Sequence, residues 1–151
     1  MMLLDVNVLV YAHREDAAQH EAHRSWLEET LASDAAYGIA ELVVSGFIRV
    51  VTHPRVFVDP SPLDTALEFA DAVRARPNCV LVSPGVRHWE IFTRLCRAAD
   101  ARGNLVADAY LAALAIESGS EWITTDRDYA RFPELRWRHP LAALPTLGPA
   151  S

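Results

Sequence analysis

Leu3-Leu4-Asp5-Val6-Asn7-Val8-Leu9-Val10-Tyr11 decides the fold. Its apolar start, led by Met1 and Met2, reads as a short buried strand over 3–6. Residues 7–13 then begin a helix, with Val8, Leu9 and Tyr11 available for packing. Asp5 therefore lies at the carboxyl end of a strand, inside an apolar stretch. A carboxylate drawn toward a low-dielectric interior is costly unless it is paired, hydrogen-bonded or bound to a cation.

Working outward, apolar periodicity predicts helices over 17–32 and 40–51, the second ended by Pro54. A third carries Leu67, Phe69, Ala70 and Val73 and breaks at Pro77. Two more span 86–101, stopped by Gly103, and 105–118, capped by Asn104 and ended by Gly119. The last of these is so apolar and small-chained that burial on most sides is expected. Strands are expected at 35–39, at 79–82 as a buried run, and at 121–124, with a helical turn near Phe132 and an edge strand at 136–138. Short strands alternating with helices give an α/β sandwich with a mainly parallel central sheet flanked by helices. It forms one domain over 1–147, followed by a short tail, 148–151.

Ligands of such sheets bind beyond the carboxyl ends of the strands, where Asp5 and Asp126 fall. Glu41, opening Leu42-Val43-Val44 just after a strand, faces the same edge, and Asp108 is embedded at the end of the apolar run from Leu105 to Ala107. Carboxylates converging on one cleft repel each other unless a divalent cation intervenes. Magnesium or manganese fits best, since both prefer oxygen ligands and magnesium keeps waters that leave room for a phosphate. The chemistry so implied is hydrolysis of a phosphodiester. Each acid also has a plainer reading: Glu41 and Asp108 as partners of helix dipoles, Asp126 in a turn with Arg127 and Asp128, and Asp5 as a helix cap. Asn7 and Thr125 are candidate polar supports, with Thr124 beside them. Threonines equally favour strands, and Asn7 equally suits a cap.

Composition narrows the function classes. The chain has 151 residues, 51% hydrophobic and 23% charged, enough for a core without disulfide or metal staples. Cys79 and Cys96 match no redox or zinc spacing and read as reduced, mostly buried thiols. The apolar start lacks a basic leader and is interrupted by Asp5, so neither a signal peptide nor a membrane span is expected, and the location expected is cytoplasmic. A net charge of −6 argues against a surface that attracts nucleic acid everywhere. All fourteen basic residues are arginine, whose planar fork suits phosphate, although genome composition accounts for the bias equally well. His20-Glu21-Ala22-His23 spaces its histidines by three rather than four and reads as a surface helix, not a zinc motif. A glycine-rich phosphate loop and a nucleophile elbow are both absent from the sequence.

The segments 4–11, 104–115 and 124–129, together with Glu41, resemble the PIN-domain ribonucleases, and more narrowly the VapC toxins of bacterial toxin–antitoxin pairs. Residues 49–54 and 131–137 look like features of one VapC subgroup. The resemblance implies a Mg2+- or Mn2+-dependent endoribonuclease whose acidic set is Asp5, Glu41, Asp108 and Asp126. Asp5, Asp108 and Asp126 are the expected metal ligands and Asp128 is a possible fifth acid. It also implies a homodimer silenced by a VapB-type antitoxin, contact with operator DNA only through that antitoxin, and structured RNA, transfer or ribosomal, as substrate. Tyr129 stands where phenylalanine is common in the family and is expected to preserve packing without touching the chemistry. RNA held over acids needs arginines at the rim, for which Arg49, Arg127, Arg14 and Arg87 are candidates. Arg49 is equally suited to dimer packing. Two other functions fit the residues: a non-catalytic PIN-like module that binds RNA or antitoxin, and a phosphatase with Asp5 as nucleophile. The phosphatase is disfavoured by Asn7, where a second acid is usual.

Overall fold

A computed structural model describes residues 1–142. The elements follow as β1 (Met2–Leu4), α1 (Val6–His13), α2 (His20–Ala32), β2 (Tyr37–Ala40), α3 (Glu41–Val51), α4 (Leu63–Arg74), β3 (Cys79–Val82), α5 (His88–Ala98), α6 (Asn104–Glu117), β4 (Glu121–Ile123) and β5 (Trp137–Arg138). A 3-10 turn, Arg127–Arg131, links the last two strands. The predicted boundary between 147 and 148 lies outside the described residues.

The five strands lie in the order β3-β2-β1-β4-β5, and every pairing is parallel. Going from β1 to β3 the chain steps outward on one side; it then returns past β1 to place β4 on the other. α1 packs on α2 and α3, α3 on α4, and α5 on α6; the right-handed rule for parallel crossovers assigns α1 to α4 to one face of the sheet and the α5–α6 pair to the other. The central strands bury large apolar side chains: Leu3, Leu4, Ile39, Trp122 and Ile123 are all fully buried. On α3, Val43, Val44, Phe47 and Val51 are buried as the periodicity predicts, and α6 buries Ala109 and the unbroken run from Leu111 to Ala115.

Three expectations are corrected. The 79–82 strand is not buried: β3 is the outer strand of the sheet, and Val80 and Leu81 are 42% and 49% exposed. Gly103 does not stop α5. That helix ends at Ala98, and Asp100 takes the left-handed conformation (φ 48°), with Ala101 N–H donating to the Cys96 carbonyl. Gly103 (φ 58°) instead caps α6, of which Asn104 is the first residue. His23 lies on the packing face of α2, buried, with its ring edge-on to Tyr11. Gly119 (φ 65°) ends α6 as expected, in the same hydrogen-bonded motif as Asp100.

Candidate active site

The strand order reverses between β1 and β4, and beyond their carboxyl ends lies the crevice that parallel sheets offer to ligands. Asp5 opens this crevice. It is 5% exposed, and it caps α1: Val6 N–H donates to Oδ1 at 2.6 Å. Its Oδ2 accepts from the Thr124 hydroxyl at 2.7 Å and from Asn7 Nδ2 at 3.1 Å. The plainer reading of Asp5 as a cap is therefore true, but it uses only one of the two oxygens.

Thr124, fully buried at the end of β4, ties the two strands together. Its Oγ1 donates to Asp5 while accepting from Asn7 Nδ2 (3.2 Å) and from Asp126 N–H (3.0 Å). Asn7 completes the seam, its Oδ1 accepting from Thr125 N–H at 2.9 Å. Both ends of the Asn7 amide are thus engaged in holding β1 to β4. Thr125 takes part through its backbone, and Thr124 supplies the hydroxyl that reaches Asp5.

Asp126 caps the 3-10 turn, its Oδ1 accepting from Asp128 N–H at 2.9 Å. That turn brings Tyr129 under the site, where its hydroxyl donates to Asp108 Oδ1 at 3.3 Å. The expectation for Tyr129 is thereby corrected: it packs as phenylalanine would, against Trp122 and Phe132, but it also orients a candidate acid. Burial and the neighbouring carboxylates hold its phenol well above the usual range, so it remains a donor.

Burial pushes the Asp5 carboxyl up to about 6, against the pull of its hydrogen bonds from Thr124 and Val6, and the like charges of Asp108 and Asp126 raise it further. Asp108 is raised by burial, then by Asp126, with the Tyr129 hydrogen bond opposing and Asp128 adding to the rise. Asp128 is exposed. Among the described residues no basic side chain forms an ion pair with Asp5, Asp108, Asp126 or Asp128. Glu41 differs: exposed at the start of α3, it pairs with Arg74. Arg74, at the end of α4 and 33 positions away, carries no sequence signal that marks it.

Of the candidate arginines, Arg127 lies beside Asp126 and is exposed. Arg49 is exposed in the last turn of α3. Arg14 follows the far end of α1, forked onto Asp16 at 2.7 and 2.8 Å and stacked on Phe57. Arg87 precedes α5, its N–H donating to Glu117.

An oxygen-preferring cation suits a crevice holding several carboxylates and no counter-charge. Among the described residues, however, no three acids or imidazoles lie close enough to enclose an ion. The donor set therefore fits an ion that keeps much of its water, as magnesium does, rather than one caged by protein.

The sequence of this chain matches the PIN domain family over residues 2–135. It is a PIN-domain protein. Among relatives, it is 48% identical to VapC ribonuclease Mb2897 of Mycobacterium bovis over 141 residues, 93% of this chain and 96% of that protein. It is 42% identical to ribonuclease VapC25 of Mycobacterium tuberculosis over 140 residues, 93% and 99% of the two chains. The same PIN fold recurs in solved structures. VapBC2 from Rickettsia felis, bound to a promoter DNA fragment, superposes with a TM-score of 0.68 at 18% identity, covering 91% of this chain and 97% of that one. FitAB bound to an IR36 DNA fragment gives 0.67 at 16% identity, covering 95% and 98%. The likeness to these two structures is one of fold. Among the described residues no helix is long and apolar enough to cross a membrane.

Proposed function

We propose that this chain is a Mg2+- or Mn2+-dependent endoribonuclease toxin that hydrolyses phosphodiester bonds in structured RNA, transfer or ribosomal, and is silenced by a cognate VapB-type antitoxin. The observation that carries this reading is Asp5: a buried carboxyl, rigidly held at the switch point of the sheet, facing two further acids and no cation of the protein. The names of the relatives support ribonuclease chemistry, and the VapBC and FitAB complexes support an antitoxin partner. In this reading the protein works in the cytoplasm as a homodimer and reaches operator DNA only through the antitoxin.

Asp5, Asp108 and Asp126 would hold the ion, in part through waters that it keeps, with Glu41 and Asp128 at its margin. Once bound, the ion supplies Lewis-acid charge to a phosphoryl oxygen and to the attacking water. The chain's own part is orientation. Thr124, Asn7 and the Val6 amide fix both Asp5 oxygens, and Tyr129 aims Asp108. The amide of Asp128 engages one oxygen of Asp126, leaving the other for a ligand or a proton. Arg127, exposed beside Asp126, is assigned a contact to the RNA backbone, and Arg49 a second one farther down α3.

The test is Asp108→Asn, which keeps the shape and removes the charge. Growth arrest on expression should disappear, and sequencing of RNA 5′ ends should show the wild-type cleavage sites lost, a fall of at least about 100-fold. Cleavage and arrest unchanged in the variant would transfer the reading to a PIN-like module that acts by binding alone.

A further inference from the structure

Glu41 is the acid that stands apart. It follows β2 directly, one strand from β1, so its backbone belongs to the same rim as Asp5. The like charges that bear on Asp5 are nevertheless those of Asp108 and Asp126. The carboxylate of Glu41 is taken instead by Arg74, whose Nη1 lies 3.0 Å from Oε1 and 3.1 Å from Oε2. The Glu41 side chain is 66% exposed and that of Arg74 34%. An ion pair so open to water is weak and readily exchanged. Moreover, Arg74 spends only Nη1 on it: among the described residues Nε and Nη2 have no partner, leaving the rest of the guanidinium fork for another anion. A guanidinium favours phosphate at least as well as carboxylate and can grip it through two nitrogens.

We propose that Arg74 is a positioning residue for Glu41: it holds this carboxylate away from the Asp5 cluster in the RNA-free protein and yields it when a backbone phosphate takes the guanidinium. The fourth carboxylate then joins the site only when substrate is present, so RNA and the divalent ion bind with positive cooperativity. This inference rests on the nuclease reading above.

Mn2+ affinity of the full-length protein, measured by calorimetry without RNA, tests it. Arg74→Gln should tighten Mn2+ about two- to fivefold, the scale of an exposed ion pair given up. The gain should vanish in the double variant with Glu41→Gln. An RNA oligonucleotide, verified intact by gel after each titration, should tighten Mn2+ in the wild type and leave Arg74→Gln unmoved. Glu41→Gln keeps the test open if the Arg74 variant does not fold: it should match wild type without RNA and bind Mn2+ more weakly with the oligonucleotide. Unchanged or weaker Mn2+ binding in folded Arg74→Gln, or a loss in RNA-free Glu41→Gln, overturns the proposal while RNA cleavage by the wild type leaves the nuclease reading intact. Wild-type protein that neither binds Mn2+ nor cleaves RNA overturns both.

Discussion

Asp5 and Glu41 stand one strand apart on the same edge of the sheet, and the protein treats them in opposite ways. Asp5 is buried, with hydrogen bonds to both oxygens from β4 and from the start of α1. Glu41 is exposed and tethered by one arginine. The difference follows from topology. Asp5 sits between two covered strands at the switch point, where any polar atom must be satisfied by protein, whereas β2 borders the outer strand β3 and its end opens to solvent. The seam between β1 and β4 is therefore the fixed half of the candidate site and the β2–α4 rim its adjustable half.

The contrast can be broken most severely at Thr124. Thr124→Val keeps the shape but leaves Asp5 Oδ2 and the Asp126 amide without their shared hydroxyl. Urea melts should show a loss of about 1–3 kcal/mol, and cleavage should fall about 10- to 100-fold. Equal stability and activity would mean that the seam is not what fixes Asp5.

The pH dependence of the metal-free protein sharpens the same contrast. The folded Asp5 carboxyl is raised to about 6 from 3.8, so its contribution to stability is fully present below 3.8 and is lost as the pH rises through about 6. That loss is on the order of 3 kcal/mol. Chelated wild-type protein should accordingly weaken between pH 4 and 7 more than Asp5→Asn does, and Mn2+ added at pH 7 should restore stability to the wild type alone. Parallel stability curves for the two proteins would contradict the burial penalty assigned to Asp5.

The smallest effect belongs to Tyr129→Phe, which removes only the hydroxyl on Asp108. Stability should move by about 1 kcal/mol or less, while kcat drops up to about tenfold with KM little changed. A larger change in KM than in kcat would make Tyr129 a substrate contact instead.

Most of the fold is legible in the sequence because most of its elements bury one face at a regular spacing. Val43, Val44, Phe47 and Val51 announce α3, and Gly119 marks the end of α6. The apolar run of β3 misleads because strand order is non-local: nothing in Cys79-Val80-Leu81-Val82 says that the strand will lie at the edge. Gly103 misleads for a different reason, since an aspartate at position 100 already provides the left-handed turn. At the site, the acids at strand ends and helix starts are readable one by one, and family resemblance groups them. The partners that position them are not readable. Thr124 meets Asp5 across 119 positions, Tyr129 meets Asp108 across 21, and Arg74 meets Glu41 across 33.

The span from Asp5 to Thr124 also governs when the protein becomes competent. The central strand is made more than a hundred residues before its partner in the seam. Closing such a loop late makes the central pairing a slow, non-local step of folding. The seam that fixes Asp5 thus cannot close until β4 has been made, and the proposed site has no assembled form before then.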